Sequence, residues 1–173
     1  MTQWERFIYG LNPWLLSSVA GVLTVLQVIL CLFLHNRPGV QVLRYVGYVI
    51  WGIGTMFGII PIFALRRRGG VPKGKSYVHT TTIVDSGVYG VVRHPQGGLA
   101  WILLNLAVIL IGQTWPIAIL GIVSVVLVYL DTLKADQYAI QKFGEDYKRY
   151  MQIVPRINFL VGITRLARRR RRE

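Results

Sequence analysis

Long apolar runs separated by short polar breaks make up most of this 173-residue chain. Residues 14–34 and 45–65 each supply the roughly 20 apolar residues that a helix needs to cross a bilayer. The runs 95–111 and 115–130 are shorter, and only Gly112-Gln113-Thr114 lies between them, so we expect an antiparallel helical hairpin there. The pattern predicts an all-α polytopic membrane protein with four, or at most five, transmembrane helices.

The polar segments between and after these runs are expected to belong to the same single membrane domain. Residues 66–94 form one long loop, and a loop of this length is more often functional than filler. Residues 131–142 contain good helix formers and no Pro or Gly, which predicts that the fourth helix continues beyond its apolar part. After a break at Gly144, residues 145–153 have the pattern of a short amphipathic helix, and a basic tail ends the segment 131–173.

The distribution of charge predicts which way the helices cross the membrane. The chain carries 20 Lys and Arg against 7 Asp and Glu, a formal net charge of +13, although 53% of its residues are hydrophobic. In a four-span arrangement only Arg37 and Arg44 fall on one side, and the other 18 basic residues fall on the opposite side. By the positive-inside rule the more basic side is cytoplasmic, so both termini are expected there.

The C-terminal run from Arg168 to Arg172 is the most concentrated basic segment. A nucleic-acid partner is not expected, because no element that could read a base accompanies the run. An orientation signal and a tether to anionic membrane lipid are the simpler interpretation.

The stretch from Asp85 to Gly98 brings candidate chemistry to the start of the third apolar run. Proline favours the first position of a helix, so Pro95 predicts that His94 lies at the helix cap, with Arg93 just outside it. A helix N-terminus offers free N–H groups and the positive end of its dipole to an anion. No metal-binding or catalytic-triad motif occurs, and the three histidines are far apart, so a metal site is not expected.

Both ends of the predicted hairpin lie on the same side of the membrane. The loop 66–94, the helix start at Arg93 and the acids Asp131 and Asp136 should therefore converge. Polar groups of both signs at the end of a span suit a small zwitterionic or cationic ligand. The alternative is an ordinary loop whose Arg and His side chains anchor the span at the headgroups.

Two sequence blocks resemble the isoprenylcysteine carboxyl methyltransferase family of integral membrane enzymes. The first is SGVYGVVRHP at 86–95, and the second is FGEDYKRYMQIVP at 143–155, on the far side of the predicted hairpin. The resemblance covers about residues 81–156. It implies a methyltransferase that holds S-adenosyl-L-methionine in a cytoplasmic pocket and methylates a lipophilic or prenylated acceptor, such as an isoprenylcysteine carboxylate.

The resemblance also implies which residues contact the cofactor. They are a Thr-rich run, the tyrosine of the first block and the helix start that follows: Thr81, Thr82, Ile83, Val84, Tyr89, His94, Pro95, Gln96 and Gly97. The family has a tyrosine at the position of Gly97, and an acidic pair where this chain has Ala135 and Asp136. Asp131 lies four residues before Ala135 on the same helix face, so Asp131 and Asp136 are both candidates for the acid that faces the cofactor.

Two arginines are candidate catalytic residues for the transfer step. Arg93 could orient an anionic acceptor, and Arg156 directly follows the second block. Methyl transfer depends chiefly on aligning the nucleophile with the sulfonium in a dry site. The alternatives to an enzyme are a non-catalytic membrane protein that binds haem through His79 or His94, and a lipid-binding scaffold anchored by the C-terminal arginines.

Overall fold

Four apolar helices form a bundle, and two further helices follow them. The computed structural model describes Gly10, residues 12–36 and residues 38–171. In chain order the helices are α1 (Pro13–Leu34), α2 (Gln41–Arg68), α3 (Trp101–Gly112), α4 (Trp115–Phe143), α5 (Glu145–Ile153) and α6 (Phe159–Arg170). A 3₁₀ turn at Gly87–Gly90 and a π-turn at Pro95–Ala100 complete the regular structure, and the described part of the chain contains no strand.

The prediction of an all-helical chain with four helices long and apolar enough to span a membrane is confirmed. The helices long and apolar enough to cross a membrane are α1, α2, α4 and the continuous segment Pro95–Gly112, in which the π-turn runs into α3. Within the described ranges no fifth helix qualifies. The cytoplasmic placement of the termini rests on the charge distribution and stays a prediction.

The second span is longer at both ends than the apolar run 45–65 that predicted it, because α2 begins at Gln41 and ends at Arg68. Arginine is a good helix former, and positive charge is favourable beside the last carbonyl groups of a helix. Three arginines in the final turn of α2 therefore extend the helix beyond its apolar part. The long polar segment accordingly starts at Gly69.

The hairpin of α3 and α4 is present as predicted. Gln113 connects the two helices in a left-handed conformation, with φ of 51°. Its side chain accepts from the N–H of Val40 at 2.8 Å and donates to the carbonyl of Val40 at 2.9 Å, which fixes the start of α2 to the turn. The predicted continuation of α4 runs to Phe143, and Gly144 ends it with φ of +60°.

Glycines on one face of α2 let it pack closely against α3. A Cβ at Gly47 would lie 3.0 Å from the carbonyl oxygen of Ala107, and one at Gly54 would lie 3.3 Å from the carbonyl oxygen of Ala100. The sequence pair Gly54-x-x-x-Gly58 predicts such a contact, but a Cβ at Gly58 would meet nothing closer than 4.0 Å. Positions seven residues apart share a helix face, so Gly47 is the partner of Gly54 in this close approach.

Buried polar side chains tie α1, α3 and α4 together inside the bundle. The hydroxyl of Thr24 lies 2.9 Å from the hydroxyl of Ser124 and accepts from the indole N–H of Trp101 at 2.9 Å. Gln27 donates its side-chain amide to the carbonyl of Asn105 and to a carbonyl of α4, at 3.2 Å in both cases. Such hydrogen bonds select helix partners in a membrane, where lipid tails are as apolar as the side chains.

The polar segment 69–94 is anchored on the C-terminus of α2 by its threonines. The N–H groups of Thr81 and Thr82 donate to the carbonyl of residue 69, at 2.8 and 3.2 Å, and their hydroxyls donate to the carbonyls of residues 70 and 68. The last carbonyl groups of a helix lack partners within it. Residues 80–84 have the composition of a strand, but they form hydrogen bonds at the C-terminus of α2 and no strand.

Helix α6 stands where the sequence pattern predicted only a basic tail after residues 145–153. The side chain of Asn158 caps it by accepting a backbone N–H of the first turn at 3.1 Å. Phe159 lies on Phe57 of α2, with 6.3 Å between ring centres. Gly162 packs so closely against the carbonyl of Val91 that a Cβ there would collide with it. Contacts between distant segments thus stabilise a helix whose apolar pattern is too short to predict it.

Candidate functional site

The carboxylate of Asp136, on the polar extension of α4, is the centre of a buried cluster. Its Oδ2 accepts from Arg93 Nη2 at 3.1 Å and from Arg156 Nε at 2.8 Å. Its Oδ1 accepts from the hydroxyl of Tyr147 at 2.7 Å and lies 2.7 Å from Nε2 of His94. Asp136 is only 2% exposed, so these four partners take the place of the water that would otherwise solvate its carboxylate. We call the five residues the Asp136 cluster.

Backbone contacts explain how distant segments reach this carboxylate. The N–H of Arg93 donates to the carbonyl of Pro155 at 3.0 Å, and the N–H of His94 donates to the carbonyl of Arg156 at 3.1 Å. The segment just before the third span therefore lies directly against the segment that follows α5. The two blocks that resemble the methyltransferase family end at Pro95 and at Pro155, so the fold joins their ends beside Asp136.

A second hydrogen bond joins the same two blocks farther from Asp136. The hydroxyl of Tyr150 on α5 donates to the carbonyl of Tyr89 at 2.6 Å. Tyr150 also packs on Tyr147, with 5.6 Å between ring centres. Burial raises the pKa of Tyr150 above its ordinary value, which keeps its hydroxyl a neutral donor.

Two arginines compensate the charge of the Asp136 carboxylate by direct pairing. A buried carboxylate is tolerated when opposite charges and hydrogen bonds compensate for lost hydration, and Asp136 has both. Arg93 is itself only 9% exposed, and its Nε has no hydrogen-bond partner among the described residues. Burial and the neighbouring carboxylate raise the pKa of Tyr147, so its hydroxyl stays protonated and donates to Asp136.

The two candidate catalytic arginines differ in access. The side chain of Arg93 is 6% exposed and pairs with Asp136, so it holds the cluster together and is shielded from bulk solvent. The side chain of Arg156 is 24% exposed, and its Nη1 donates to the hydroxyl of Tyr129 at 3.3 Å. The guanidinium of Arg156 also lies 5.8 Å from the centre of the Tyr129 ring. Arg156 is therefore the arginine of the cluster that a ligand can reach.

A cavity of about 460 Å³ opens beside the threonine run, and we call it the threonine cavity. Thr81, Thr82 and Ile83 line it, and so do charged side chains of both signs: Asp85, Asp146, Arg149 and Arg169. A smaller cavity of about 90 Å³ adjoins it, and its lining includes Thr82, Ile83, Val84, Tyr89 and Arg93. The structure thus brings together the predicted contacts of residues 81–84 and Tyr89.

Two features of the residues that line these adjoining cavities affect what a ligand could contact. The hydroxyls of Thr81 and Thr82 already donate to carbonyl groups at the end of α2, at 2.8 and 3.0 Å. The hydroxyl of Tyr89 makes no hydrogen bond with any residue that the structure describes. Burial raises the pKa of Tyr89, so this hydroxyl is a neutral donor at physiological pH.

The predicted helix start at residues 95–97 is a π-turn. His94 is its cap, as expected, but the cap uses backbone alone, because the His94 ring turns to Asp136. The side-chain amide of Gln96 donates to the hydroxyl of Tyr77 at 3.1 Å, which joins the turn to the polar segment. A Cβ at Gly97 would meet nothing within 4 Å, so the position that the family fills with tyrosine faces open space.

Asp131 lies in a different cavity, with a volume of about 570 Å³, between the start of α1 and the extension of α4. Its carboxylate accepts from the hydroxyl of Ser17 at 3.0 Å. Ala135, at the position of the family's first acid, lines the same cavity. Positions five residues apart on a helix point about 140° apart. Asp136 therefore lies against Arg93 and His94 at the start of the third span, as expected, while Asp131 faces α1.

Tyr147 of the Asp136 cluster was not predicted as a site residue, and neither was Tyr129, which contacts Arg156. The second block carries a signal for Tyr147, because its pattern Phe-Gly-x-x-Tyr-x-x-Tyr places Tyr147 and Tyr150 on one face of α5. Nothing in the sequence singles out Tyr129, which falls inside the apolar run of α4.

Comparison with family models, curated proteins and solved structures yields no match to this chain in any of the three. The resemblance to the methyltransferase family stays a prediction that rests on the two blocks.

Proposed function

We propose that this protein is a membrane methyltransferase that transfers a methyl group from S-adenosyl-L-methionine to a lipophilic acceptor of the isoprenylcysteine carboxylate type. The observation that carries the proposal is the contact between the two family-like blocks. Arg93 and His94 of the first block donate backbone N–H groups to Pro155, the last residue of the second block, and to Arg156, which directly follows it.

The lining of the threonine cavity is compatible with this cofactor. Its volume of about 460 Å³ falls in the range of roughly 300–1,000 Å³ that small-molecule pockets occupy. Ile83 and Phe143 offer apolar surface to an adenine ring, while carboxylates and guanidiniums offer partners to the ammonium and carboxylate of a methionine moiety. When bound, S-adenosyl-L-methionine supplies an electrophilic methyl group on a sulfonium, and S-adenosylhomocysteine is left after transfer.

The chain's own residues would bind and orient the reactants. An acceptor carboxylate is already ionised at neutral pH, so no general base is needed. Arg156 is the reachable guanidinium of the Asp136 cluster and would hold such a carboxylate. Asp136 and Tyr147 act as positioning residues, because their hydrogen bonds fix the segment that carries Arg156.

The haem-binding alternative has less support in the geometry. Nε2 of His94 lies 2.7 Å from Oδ1 of Asp136, which occupies the nitrogen that would ligate iron. His79 is an exposed residue of the polar segment. An absorbance spectrum of the purified protein separates the two functions, because bound haem gives a Soret band and a methyltransferase is colourless.

Calorimetric titration of the full chain in detergent micelles tests the proposal. We expect saturable binding of both S-adenosyl-L-methionine and S-adenosylhomocysteine. Tyr89→Phe should weaken binding about five- to tenfold, the effect of one lost hydrogen bond. Tyr138→Phe is the matched control, because Tyr138 is 67% exposed and lines the cavity of Asp131. Absence of binding to the folded protein, or equal weakening in both variants, contradicts the site.

A further inference from the structure

Three arginines of α6 surround a cavity of about 230 Å³ next to the end of α5. Gln152 and Ile153 complete its lining together with Arg165, Arg168 and Arg169. Nη1 of Arg165 donates to the carbonyl of Gln152 at 3.4 Å, and Nη2 of Arg169 donates to the carbonyl of Ile153 at 2.6 Å. The carbonyl groups at the end of α5 therefore hold two guanidinium groups beside this cavity. We call the cavity the arginine cavity.

Holding three positive groups together is unfavourable without a counter-charge. Arg165 and Arg169 are four positions apart on the helix, and Arg165 and Arg168 are three apart, spacings at which like charges repel. None of the ion pairs between described residues includes Arg165, Arg168 or Arg169. A bound anion would relieve this repulsion.

We propose that the arginine cavity binds a phosphate group, presented by the headgroup of an anionic phospholipid. Guanidinium groups match phosphate oxygens with paired, charge-assisted hydrogen bonds, and clustered arginines are a recurrent phosphate site. Arg165 keeps the donors that do not face Gln152, and Arg168 makes no hydrogen bond with a described residue. These donors are available to an anion that enters the cavity.

The surroundings of α6 favour a lipid as the source of the phosphate. Its inner face packs on the bundle through Phe159, which contacts Phe57 within the second span. Its outer face carries Leu160 and Ile163, which are 65% and 51% exposed. A helix with an exposed apolar stripe beside arginines is suited to the interface, where the stripe enters the acyl region and the arginines meet headgroups.

The proposal of a phosphate site does not rest on the proposed methyl transfer, although the two cavities share lining residues. Arg169 lines both the arginine cavity and the threonine cavity, so it is left unchanged in the test. The test variant is R165Q/R168Q. The matched control is R66Q/R67Q, which removes two exposed arginines from the last turn of α2 and changes the net charge equally.

The experiment titrates the full chain, in micelles of an uncharged detergent, with soluble short-chain phosphatidylglycerol, with the corresponding phosphatidylcholine and with inorganic phosphate. We expect phosphatidylglycerol to bind more tightly than phosphatidylcholine. R165Q/R168Q should weaken that binding roughly 25-fold, at about fivefold for each arginine, while R66Q/R67Q leaves it within twofold of the unmodified chain.

The three ligands separate the sources of the phosphate. Binding of phosphatidylglycerol without inorganic phosphate identifies a lipid site, and binding of inorganic phosphate that R165Q/R168Q abolishes identifies a site for free phosphate. Equal weakening in R165Q/R168Q and R66Q/R67Q overturns the proposal, because it shows attraction to bulk charge alone. R168Q by itself keeps the test decisive if the double variant does not fold, with an expected loss of about fivefold and with no loss as the contradicting result.

Discussion

The hydroxyl of Tyr147 donates a hydrogen bond to the carboxylate of Asp136 across 2.7 Å, and both groups are buried. This bond joins α5 to the extension of α4, and it completes the set of donors that compensates a charge removed from water. The Asp136 cluster therefore has two roles. It stabilises the polar end of the bundle, and it fixes Arg156, the arginine that a ligand can reach.

Removing the Tyr147 hydroxyl should destabilise the protein without a change of fold. Tyr147→Phe keeps the ring and its packing on Tyr150, but it removes a hydrogen bond to a charged group. We expect the free energy of unfolding to fall by about 2 kcal/mol. Denaturant unfolding in micelles measures this effect, with Tyr138→Phe as the control because its side chain is 67% exposed. Equal stability of the two variants would mean that the Tyr147 bond contributes nothing.

Substitution of the two acids on α4 should separate their roles. Asp136→Asn leaves Arg93 and Arg156 without their carboxylate, so we expect a loss of about 3–5 kcal/mol, or failure to fold. Asp131→Asn removes the charge of a carboxylate that accepts its hydrogen bond from a neutral serine hydroxyl, so its cost should stay below about 1 kcal/mol. Thermal unfolding and the yield of monodisperse protein compare them. A larger loss for Asp131→Asn contradicts the assignment of Asp136 as the centre.

Stability should fall in alkaline solution because of the tyrosines of α5. Burial raises the pKa of Tyr147 and of Tyr150 above the ordinary 10.0, so the folded state favours their neutral form. A raised pKa in the folded state means that the stabilisation is complete below pH 10.0 and is lost as the pH rises beyond it. Melting temperature measured across this pH range, with tyrosinate absorbance alongside, gives the profile.

The double variant Y147F/Y150F serves as the control for this pH profile. It removes both buried hydroxyls, so its melting temperature should decline less steeply above pH 10.0 than that of the unmodified chain. Parallel declines would assign the alkaline sensitivity to other groups.

Because α2 packs closely on α3, we expect that Gly47 does not tolerate an added methyl group and that Gly52 does. A Cβ at Gly47 would lie 3.0 Å from the carbonyl oxygen of Ala107, whereas a Cβ at Gly52 meets nothing within 4 Å. Gly47→Ala should therefore cost about 1–3 kcal/mol, and Gly52→Ala should be neutral or slightly stabilising. Unfolding in micelles compares the pair directly. The reverse order of stabilities would contradict the packing of this interface.

The helices could be predicted from sequence because each span is a local property of the chain. Apolar runs of sufficient length identify the four spans, and the three-residue break at residues 112–114 identifies the hairpin. The extension of α4 followed from a stretch without Pro or Gly. Helix α6 could not be predicted in this way, because its stability comes from contacts such as Phe159 with Phe57.

The candidate site was only partly predictable, for a related reason. The position of His94 beside Pro95 indicated a helix cap, but the pairing of its ring with Asp136 joins residues 42 positions apart. The resemblance implied ligand contacts at Thr81 and Thr82, but it gave no sign that their hydroxyls complete the end of α2. The separation of Asp131 from Asp136 depends on which neighbours each helix face meets, and spacing alone does not determine that.

Transfer of a labelled methyl group tests the central claim most directly. The folded full chain in micelles is incubated with methyl-labelled S-adenosyl-L-methionine and, in parallel, with a prenylated cysteine, a phospholipid and a small thiol. We expect label in the extracted lipophilic acceptor, inhibition by S-adenosylhomocysteine, and at least a roughly tenfold loss in Arg156→Gln with donor binding retained. Label at the protein-free level with every acceptor, from protein shown to be folded, would contradict the assignment of this chain as a methyltransferase.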